Sequence, residues 1–369
     1  MLTAPIATWF APKKKSAWVS RRVSILEVQQ RRLRMAHWTF YLSLAYTVIA
    51  TGIWLVLVFT GLDGGVFFGN CRLSFAEISR CAISFTLFWM IWSYGFHWLK
   101  YALLRQAGFR REELRAVFGS RLHGFRLERI LERHSEHTIR IIDMVGRRGR
   151  SLLLMIVGFA LVYSRIYADP HPEDLAVSLN ASFFDALVMS WWTILTFHND
   201  GVLGHMAYGA QTRILDGIQG RANALCIMTL WNGFKFVMIP LGVLLAHVYP
   251  PETYVVLYSF IWLSYGIADF ASEIFGSLWG RQEIRVWGLG DIKRKSWLGV
   301  FAAFICTLIA NMTIIYFGHL SLPWAVLGIL LAFVNPLVEL VSPRGTDDFT
   351  MATTNALICL AFGWLVFAR

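Results

Sequence analysis

Charged residues are scarce in this chain: they make up 15% of its 369 residues, against about 25% in an ordinary soluble protein. Apolar residues reach 56%. They fall in continuous runs of roughly 17 to 28 residues, the length that a helix needs to cross a hydrocarbon layer about 30 Å thick. This composition excludes a disordered chain, and a single soluble core does not need so many long runs. The sequence predicts an all-α fold, a polytopic transmembrane helical bundle.

Regularly spaced cysteines and metal-binding motifs are also missing. The chain has five cysteines, an odd number without regular spacing, which argues against a disulfide scaffold. Most of them lie inside apolar runs, where a cysteine behaves as a small apolar residue. His198, Asp200 and His205 lie close together in sequence but lack the spacing of a metal-binding motif. The pattern indicates neither a disulfide-rich protein nor a zinc site.

Nine apolar runs are predicted to span the membrane, with approximate bounds of 39–61, 79–103, 152–168, 183–199, 223–248, 254–278, 298–317, 322–341 and 350–367. Basic residues are concentrated in alternate loops: 1–37 carries eight Lys or Arg and 104–150 carries twelve Arg, whereas 169–174 carries none. Because cytoplasmic loops hold the excess of Lys and Arg, the N-terminus is predicted to be cytoplasmic. The net charge of +11 is then mainly an orientation signal, and no nucleic-acid partner is expected.

The Arg-rich stretch 104–150 has apolar residues at helical spacing, among them Leu114, Val117 and Phe118. This pattern is typical of amphipathic helices. Such helices lie on membranes and contact anionic headgroups through their basic side chains. We expect anionic lipid headgroups to be the partner of 104–150, and a specific partner or regulatory site is the alternative.

Carboxylates occur where a membrane span should be apolar. Asp269 and Glu273 lie inside one run, and their i, i+4 spacing places both on one helix face. Glu339 ends a later run on the same side of the membrane, and Asp347 and Asp348 follow it. Ionisable groups inside a span are costly and usually functional, and carboxylate oxygens are the ligands that hard cations prefer. These acids therefore predict a cation site at the cytoplasmic side.

A basic loop marked by glycines lies between these acids. Glycine lets main-chain N–H groups approach phosphate oxygens, and Lys or Arg neutralises them. Carboxylates for Mg²⁺, with bases and glycines for a polyphosphate, are the parts that phosphoryl or nucleotidyl transfer needs. For any single base, an ordinary role in orientation and solubility is the alternative. The candidate phosphate-binding residues are Gly276, Gly280, Arg281, Lys293, Lys295, Ser296, Gly299 and Arg344.

Residues 265–358 resemble the membrane family of dolichol kinases, phytol-type prenol kinases and CTP-dependent phosphatidate cytidylyltransferases. The family pattern opens with an Asp followed by glycines seven and eleven positions later, which Asp269, Gly276 and Gly280 match. A Lys-Ser-x-x-Gly element matches at 295–299. A late Glu, followed by an Arg-Gly-x-Asp turn, matches at 339–348.

The resemblance implies Mg²⁺ as cofactor, CTP as donor and a lipid as acceptor. The acceptor is a prenol hydroxyl in a kinase and the phosphate of phosphatidate in a cytidylyltransferase. Mg²⁺ would be held by Asp269, Glu273 and Asp347, and the catalytic residues would be Asp269, Glu273, Glu339, Asp347 and Asp348. Three positions, Ala268, Leu298 and Asp348, depart from the Gly, Glu and Asn usual in the family. A non-enzymatic membrane protein that inherited the fold is therefore a third possibility.

A second resemblance concerns residues 183–193, which are similar to the pore helix of tetrameric potassium channels. The selectivity filter of such channels is a run of backbone carbonyls around Gly-Tyr-Gly. The chain has Phe197-His198-Asn199-Asp200 at this point instead. A channel-like protein is therefore the weaker alternative.

The chain is predicted to contain three regions. Residues 1–150 combine a basic segment, two spans and the Arg-rich linker, and 151–250 hold three spans. Residues 251–369 form the domain that resembles CTP-dependent lipid transferases. We expect a multi-pass integral membrane protein of a bacterial inner membrane or an endomembrane, whose partners are the membrane and a lipid acceptor. A homo-oligomer is left open.

Overall fold

A computed structural model describes residues 40–41, 43–49, 51–52, 55–56, 75–119, 127–152, 186–215, 220–221, 224–225, 227–228, 249, 251–285, 294–342 and 347–367. The described residues are mostly helical and fall into two compact units. The segments of the two units alternate along the chain. Unit 1 draws on Met1–Ala45, Trp89–Ser151 and Trp192–Cys226, and unit 2 on Tyr46–Phe88, Leu152–Trp191 and Ile227–Arg369.

Unit 1 is helical in the part that the structure describes. Its helices are α1 (Phe75–Gln106, from Trp89 onward), α2 (Arg111–Phe118), α3 (Leu127–Arg133), α4 (Glu136–Met144) and the end of α5 (Ala186–Leu195). Two π-helical turns, Val145–Gly149 and His205–Gly209, complete it. Helices therefore do form in the Arg-rich stretch, as its periodicity predicts.

The apolar side chains of these short helices pack against one another. The buried cluster consists of Leu104, Phe109, Leu114, Val117, Phe118, Leu127, Ile130, Ile139, Ile142 and Ile214. The apolar faces predicted for 104–150 thus form the core of unit 1. Contact with anionic headgroups stays a prediction, and it would use exposed basic side chains such as those of Arg111 and Arg115.

Unit 2 contains a bundle of four long helices and one short hairpin. In chain order its elements are α6 (Pro251–Trp279), β1 (Glu283–Arg285), β2 (Arg294–Ser296), α7 (Trp297–Phe317), α8 (Leu322–Val341) and α9 (Asp347–Phe367). Their apolar faces meet in one cluster that includes Phe260, Leu327, Leu331, Met351 and Cys359, all buried. Helix α7 runs antiparallel to both α6 and α8, because a hairpin joins α6 to α7 and four residues join α7 to α8.

A polar seam crosses this apolar interior. The Ser264 hydroxyl on α6 donates to Asn311 Oδ1 on α7 at 2.9 Å. Asn311 Nδ2 in turn donates to the carbonyl oxygen of Gly328 on α8 at 2.9 Å. Hydrogen bonds of this kind between helices hold membrane bundles in register where the hydrophobic effect cannot.

Three helices are long and apolar enough to cross a membrane, among the described residues. They are Trp297–Phe317, Leu322–Val341 and Phe349–Val366, and they correspond to the predicted runs 298–317, 322–341 and 350–367. Their outward faces carry large exposed apolar side chains, among them Phe301, Ile309, Val326, Leu357 and Leu365. Such faces suit lipid rather than water, so the chain is a membrane protein.

The other predicted spans have mixed outcomes. Runs 79–103 and 254–278 lie in helices α1 and α6, which are long but are not among these three helices. In run 183–199 the described helix has only ten residues, Ala186–Leu195, or about 15 Å, half a hydrocarbon layer. Most of 39–61, 152–168 and 223–248 lies outside the described residues. Nine spans and a cytoplasmic N-terminus stay predictions.

The hairpin is a departure from the predicted all-α fold. β1 and β2 pair antiparallel, with Ile284 opposite Lys295, inside the basic loop between α6 and α7. Strands of three residues are too short to leave an alternating pattern that sequence periodicity can detect. The pairing matters for the site because it fixes the position of Lys295 in β2, directly before helix α7.

Candidate functional site

Three residues far apart in sequence meet at the end of the unit 2 bundle. Lys295 Nζ lies 2.8 Å from Glu339 Oε1 and also donates to the Glu339 carbonyl oxygen. The Ser272 hydroxyl donates to the same Oε1 at 2.7 Å. The C-terminal third of α6, strand β2 and the last turn of α8 therefore converge on one carboxylate.

Two further acids share this region. Asp269 is buried, and both Asp269 and Asp347 interact electrostatically with Glu339. Removing carboxylates from water is costly unless they are paired or hold a cation. Lys295 pairs with Glu339, and Asp269 and Asp347 add two more carboxylates to the same end of the bundle.

The motif glycines account for the close approach of α6 and α7. A Cβ on Gly299 would lie 2.8 Å from the main-chain oxygen of Ser272, and one on Gly276 would lie 2.9 Å from Ser296 Oγ. A Cβ on Gly280 would overlap the carbonyl oxygen of Gly276. Side chains at these positions would push the helices apart and withdraw Lys295 from Glu339.

Ser296 is the capping residue directly before the first turn of helix α7. Its hydroxyl accepts a hydrogen bond from the Gly299 N–H at 3.1 Å, which is the usual role of serine before the first turn. The Lys-Ser-x-x-Gly element thus has a structural explanation: the lysine reaches the carboxylate, the serine caps the helix, and the glycine admits α6. Direct contact of Gly276, Gly280, Ser296 or Gly299 with a phosphate stays a prediction.

The remaining predicted site residues lie less centrally or outside the described residues. Glu273 is half-buried and Arg281 is exposed. Lys293 and Arg344 lie outside the described residues, as does the side chain of Asp348. In the described part of the chain, no group of three His, Cys, Asp or Glu side chains is arranged to hold a metal ion.

Sequence reasoning missed four polar residues at this end of the bundle. Ser272 has no motif of its own, and it lies three residues after Asp269. Ser342 and Thr350 share a hydrogen bond between their hydroxyls, which ties the end of α8 to the start of α9. Asn335 lies one turn before Glu339, and the i, i+4 spacing of an amide and an acid in an apolar run was the signal that could have found it.

Unit 1 has a separate buried polar cluster that the sequence did not indicate. Lys100 is fully buried and pairs with Asp143 at 2.6 Å. The other Asp143 oxygen accepts from the Ile214 N–H at 2.8 Å, and Lys100 donates to the Thr212 carbonyl. These contacts fasten the segment after His205–Gly209 to α1 and α4, so we interpret the pair as structural.

An arginine of the basic stretch is buried in unit 1 rather than solvated. Arg150 donates to the Ser93 hydroxyl at 3.0 Å, and its guanidinium lies 4.4 Å from the ring centre of Trp89. Burial lowers the pKa of Arg150 to about 9, and repulsion from Arg147 and Arg148 adds to this. Part of the basic excess therefore supports the fold of unit 1.

The segment that would replace a channel filter is held by an arginine. Arg221 Nη1 donates to the carbonyl oxygen of Phe197 at 2.7 Å, and Nη2 donates to that of Asn199 at 3.0 Å. In a potassium channel, carbonyls at this point face the permeating ion. Here two of them are occupied by a guanidinium, which weighs against the channel alternative.

Comparison with protein-family models, with curated proteins and with solved structures finds no match to this chain.

Proposed function

We propose that the chain is a multi-pass membrane enzyme that transfers the γ-phosphoryl group of CTP to a lipid alcohol at the cytoplasmic face. The observation that carries the proposal is the meeting of Lys295, Ser272 and Glu339. The three sequence elements of the resemblance are separate in the chain, and a shared site is the simplest reason for them to converge. Their position at one end of apolar helices suits a lipid that enters from the bilayer.

Glu339 is the residue best suited to accept the proton of the lipid hydroxyl. Its Oε1 is held by Lys295 at 2.8 Å and Ser272 at 2.7 Å, so the carboxylate has a fixed direction. Positioning of the base within hydrogen-bonding reach is the first requirement of general base catalysis. Lys295 acts as a positioning residue because its two contacts with Glu339 hold the carboxylate in place.

In the proposed step, the hydroxyl oxygen forms a bond to the γ-phosphorus and the bond from that phosphorus to the β–γ bridging oxygen breaks. The hydroxyl proton passes to Glu339, and CDP leaves with the bridging oxygen. Transfer of this kind depends mainly on positioning and on neutralising charge. Arg281, Lys293 and Arg344 are the proposed partners of the phosphates.

Mg²⁺ would neutralise phosphate charge and align the donor. The excess of carboxylates around Glu339 suits a divalent cation, and Asp269, which is buried among them, is the proposed anchoring ligand. Glu273 and Asp347 are proposed to complete its surroundings. Phosphatidate cytidylyltransferase activity would use the same donor and metal, and the two reactions differ in which phosphate of CTP enters the lipid.

The test is a transfer assay with purified protein, Mg²⁺ and a panel of prenols, diacylglycerol and phosphatidate. CTP is supplied with label in either the γ- or the α-phosphate. Label from the γ-phosphate in the lipid phase is the expected result. Label from the α-phosphate would replace the kinase with a cytidylyltransferase, and no transfer from CTP, ATP or GTP would overturn the proposal.

Variants then connect the activity to the site. Glu339→Gln and Asp269→Asn are expected to lower transfer by about 10² or more, the usual contribution of a general base or of a preorganised charge. The matched control is Glu132→Gln, the same carboxylate-to-amide change at an exposed position of α3. Wild-type turnover in Asp269→Asn would remove that residue from the mechanism.

A further inference from the structure

Asn335 has an oxygen atom that the fold does not use. The residue is completely buried in α8. Its Nδ2 donates back to the carbonyl oxygen of Leu331 at 2.7 Å, which fixes the orientation of the amide. Its Oδ1 has no hydrogen-bond partner within the described residues. Buried polar atoms are nearly always satisfied, and beside carboxylates this oxygen can be satisfied by water or by a cation.

The register of the bundle places that oxygen beside the carboxylates. Ser272 of α6 contacts Glu339 of α8, and the two helices run in the same direction because α7 reverses the chain between them. About one turn back along each helix lie Asp269 on α6, about 4.5 Å before Ser272, and Asn335 on α8, about 6 Å before Glu339. Asn335 thus lies on the same face of α8 as Glu339 and at the level of Asp269.

Proline provides a second neutral oxygen at the same level. Pro336 lies inside α8, and proline has no N–H to donate to the carbonyl four residues earlier. That carbonyl belongs to Ala332, which is completely buried. Proline thus removes the usual donor to the Ala332 oxygen, and Asn335 Oδ1 has no partner within the described residues, so both oxygens can accept at about the level of Asp269.

We propose that Asn335 Oδ1 and the Ala332 carbonyl oxygen are neutral ligands of a divalent cation that is anchored by Asp269. This proposal rests on the proposed function, because the cation is the Mg²⁺ that accompanies the nucleotide. Hard divalent cations are bound by a mixture of carboxylate, amide and carbonyl oxygens. Neutral donors also explain how a cation site can form where the described residues hold no cluster of three acidic or histidine ligands.

The test measures metal binding in the absence of nucleotide and lipid. Purified full-length protein in nanodiscs is titrated with Mn²⁺, and free Mn²⁺ is followed by electron paramagnetic resonance. Asn335→Leu is expected to weaken binding by at least about tenfold, because even the loss of a group that only orients a metal ligand usually costs that much. Asn335→Asp, which keeps an oxygen at the same place, is expected to retain binding. Pro336→Ala, which returns an N–H donor to Ala332, is expected to weaken it.

Asn355 is the matched control. It too is completely buried with an Oδ1 that lacks a partner among the described residues, and its Nδ2 donates to the Ile261 carbonyl at 3.4 Å. Ile261 lies eight residues before Asp269, about 12 Å along α6. Asn355→Leu should therefore leave Mn²⁺ affinity unchanged while removing the same kind of group from the same kind of environment.

Each outcome decides the question. Wild-type affinity in Asn335→Leu, or equal losses in Asn335→Leu and Asn355→Leu, would mean that the amides bind ordered water or serve packing, and the inference would fail. Absence of Mn²⁺ binding in the wild type would also overturn it. Mn²⁺ binding with the expected dependence but no transfer to lipid would uphold this site and refute the proposed function. Transfer to lipid by the wild type, together with unchanged Mn²⁺ affinity in Asn335→Leu, would uphold the proposed function and refute this site.

Discussion

At the scale of single residues, the pair of Lys295 and Glu339 shows what sequence can and cannot predict. Each was identifiable from its type and position, because a lysine beside a helix start and an acid at the end of an apolar run both need an explanation. Their contact was not, since it depends on how three helices cross. Lys100 and Asp143 are the opposite case: neither stood out, and only the fold reveals a buried pair.

The Lys295–Glu339 pair leads to a stability prediction. Lys295→Met leaves the Glu339 carboxylate buried without its cation, and loss of one partner of a fully buried pair costs about 3–5 kcal/mol. The Lys295 side chain is 20% exposed, so we expect a smaller loss, about 2 kcal/mol. Denaturant unfolding in detergent micelles measures it.

The double variant Lys295→Met with Glu339→Gln provides the control. Once the carboxylate is neutral, the lysine has little left to stabilise, so the double variant should recover part of the loss. We expect a coupling of about 1–3 kcal/mol from the complete cycle. Additive effects of the two substitutions would mean that the two side chains do not act as a pair.

At the scale of elements, long apolar helices were predictable from the sequence and three-residue strands were not. The runs 298–317 and 322–341 match α7 (Trp297–Phe317) and α8 (Leu322–Val341) closely, because long apolar segments in lipid have few alternatives to a helix. The strands β1 and β2 were missed because three residues carry almost no periodic signal. The motif glycines were identified, but as phosphate contacts, and the structure adds a packing role that only the crossing of α6 and α7 discloses.

The crossing of α6 and α7 can be tested with one methyl group. Gly299→Ala places a Cβ 2.8 Å from the main-chain oxygen of Ser272, and main chain cannot move aside as a flexible side chain would. We expect a loss of about 1–3 kcal/mol, measured by unfolding in micelles, together with loss of the proposed transfer. Gly95→Ala in α1 is the control, since a Cβ there meets nothing within 4 Å. That change should be neutral or stabilise by up to about 1 kcal/mol. Equal effects at the two glycines would contradict close packing at Gly299.

At the scale of the whole molecule, the distribution of exposed apolar side chains relates the fold to its surroundings. Helices α7, α8 and α9 bury their small and polar residues, such as Ala303, Thr307 and Asn335, and expose large apolar ones. The bundle also buries large apolar side chains such as Leu327 and Leu331, but a water-soluble bundle would cover its outer surface with polar side chains. The same arrangement suits the proposed site at the helix ends, where polar atoms of the interior adjoin outer faces that are apolar.

Depth in the membrane gives the sharpest test of this arrangement, because the cost of a charge depends on where along a span it is placed. Ile309 lies in the middle of α7 and Tyr316 next to its end, and both are exposed, at 60% and 75%. An arginine at the centre of a span costs about 2.5–3.5 kcal/mol, whereas one near the end extends to the headgroups at little cost. Ile309→Arg should therefore sharply reduce the inserted fraction of α7 in a glycosylation-based insertion assay, and Tyr316→Arg should leave it near the wild-type value. Equal insertion of the two variants would mean that α7 does not cross the hydrocarbon layer, and a site that admits lipid beside Glu339 would lose its physical basis.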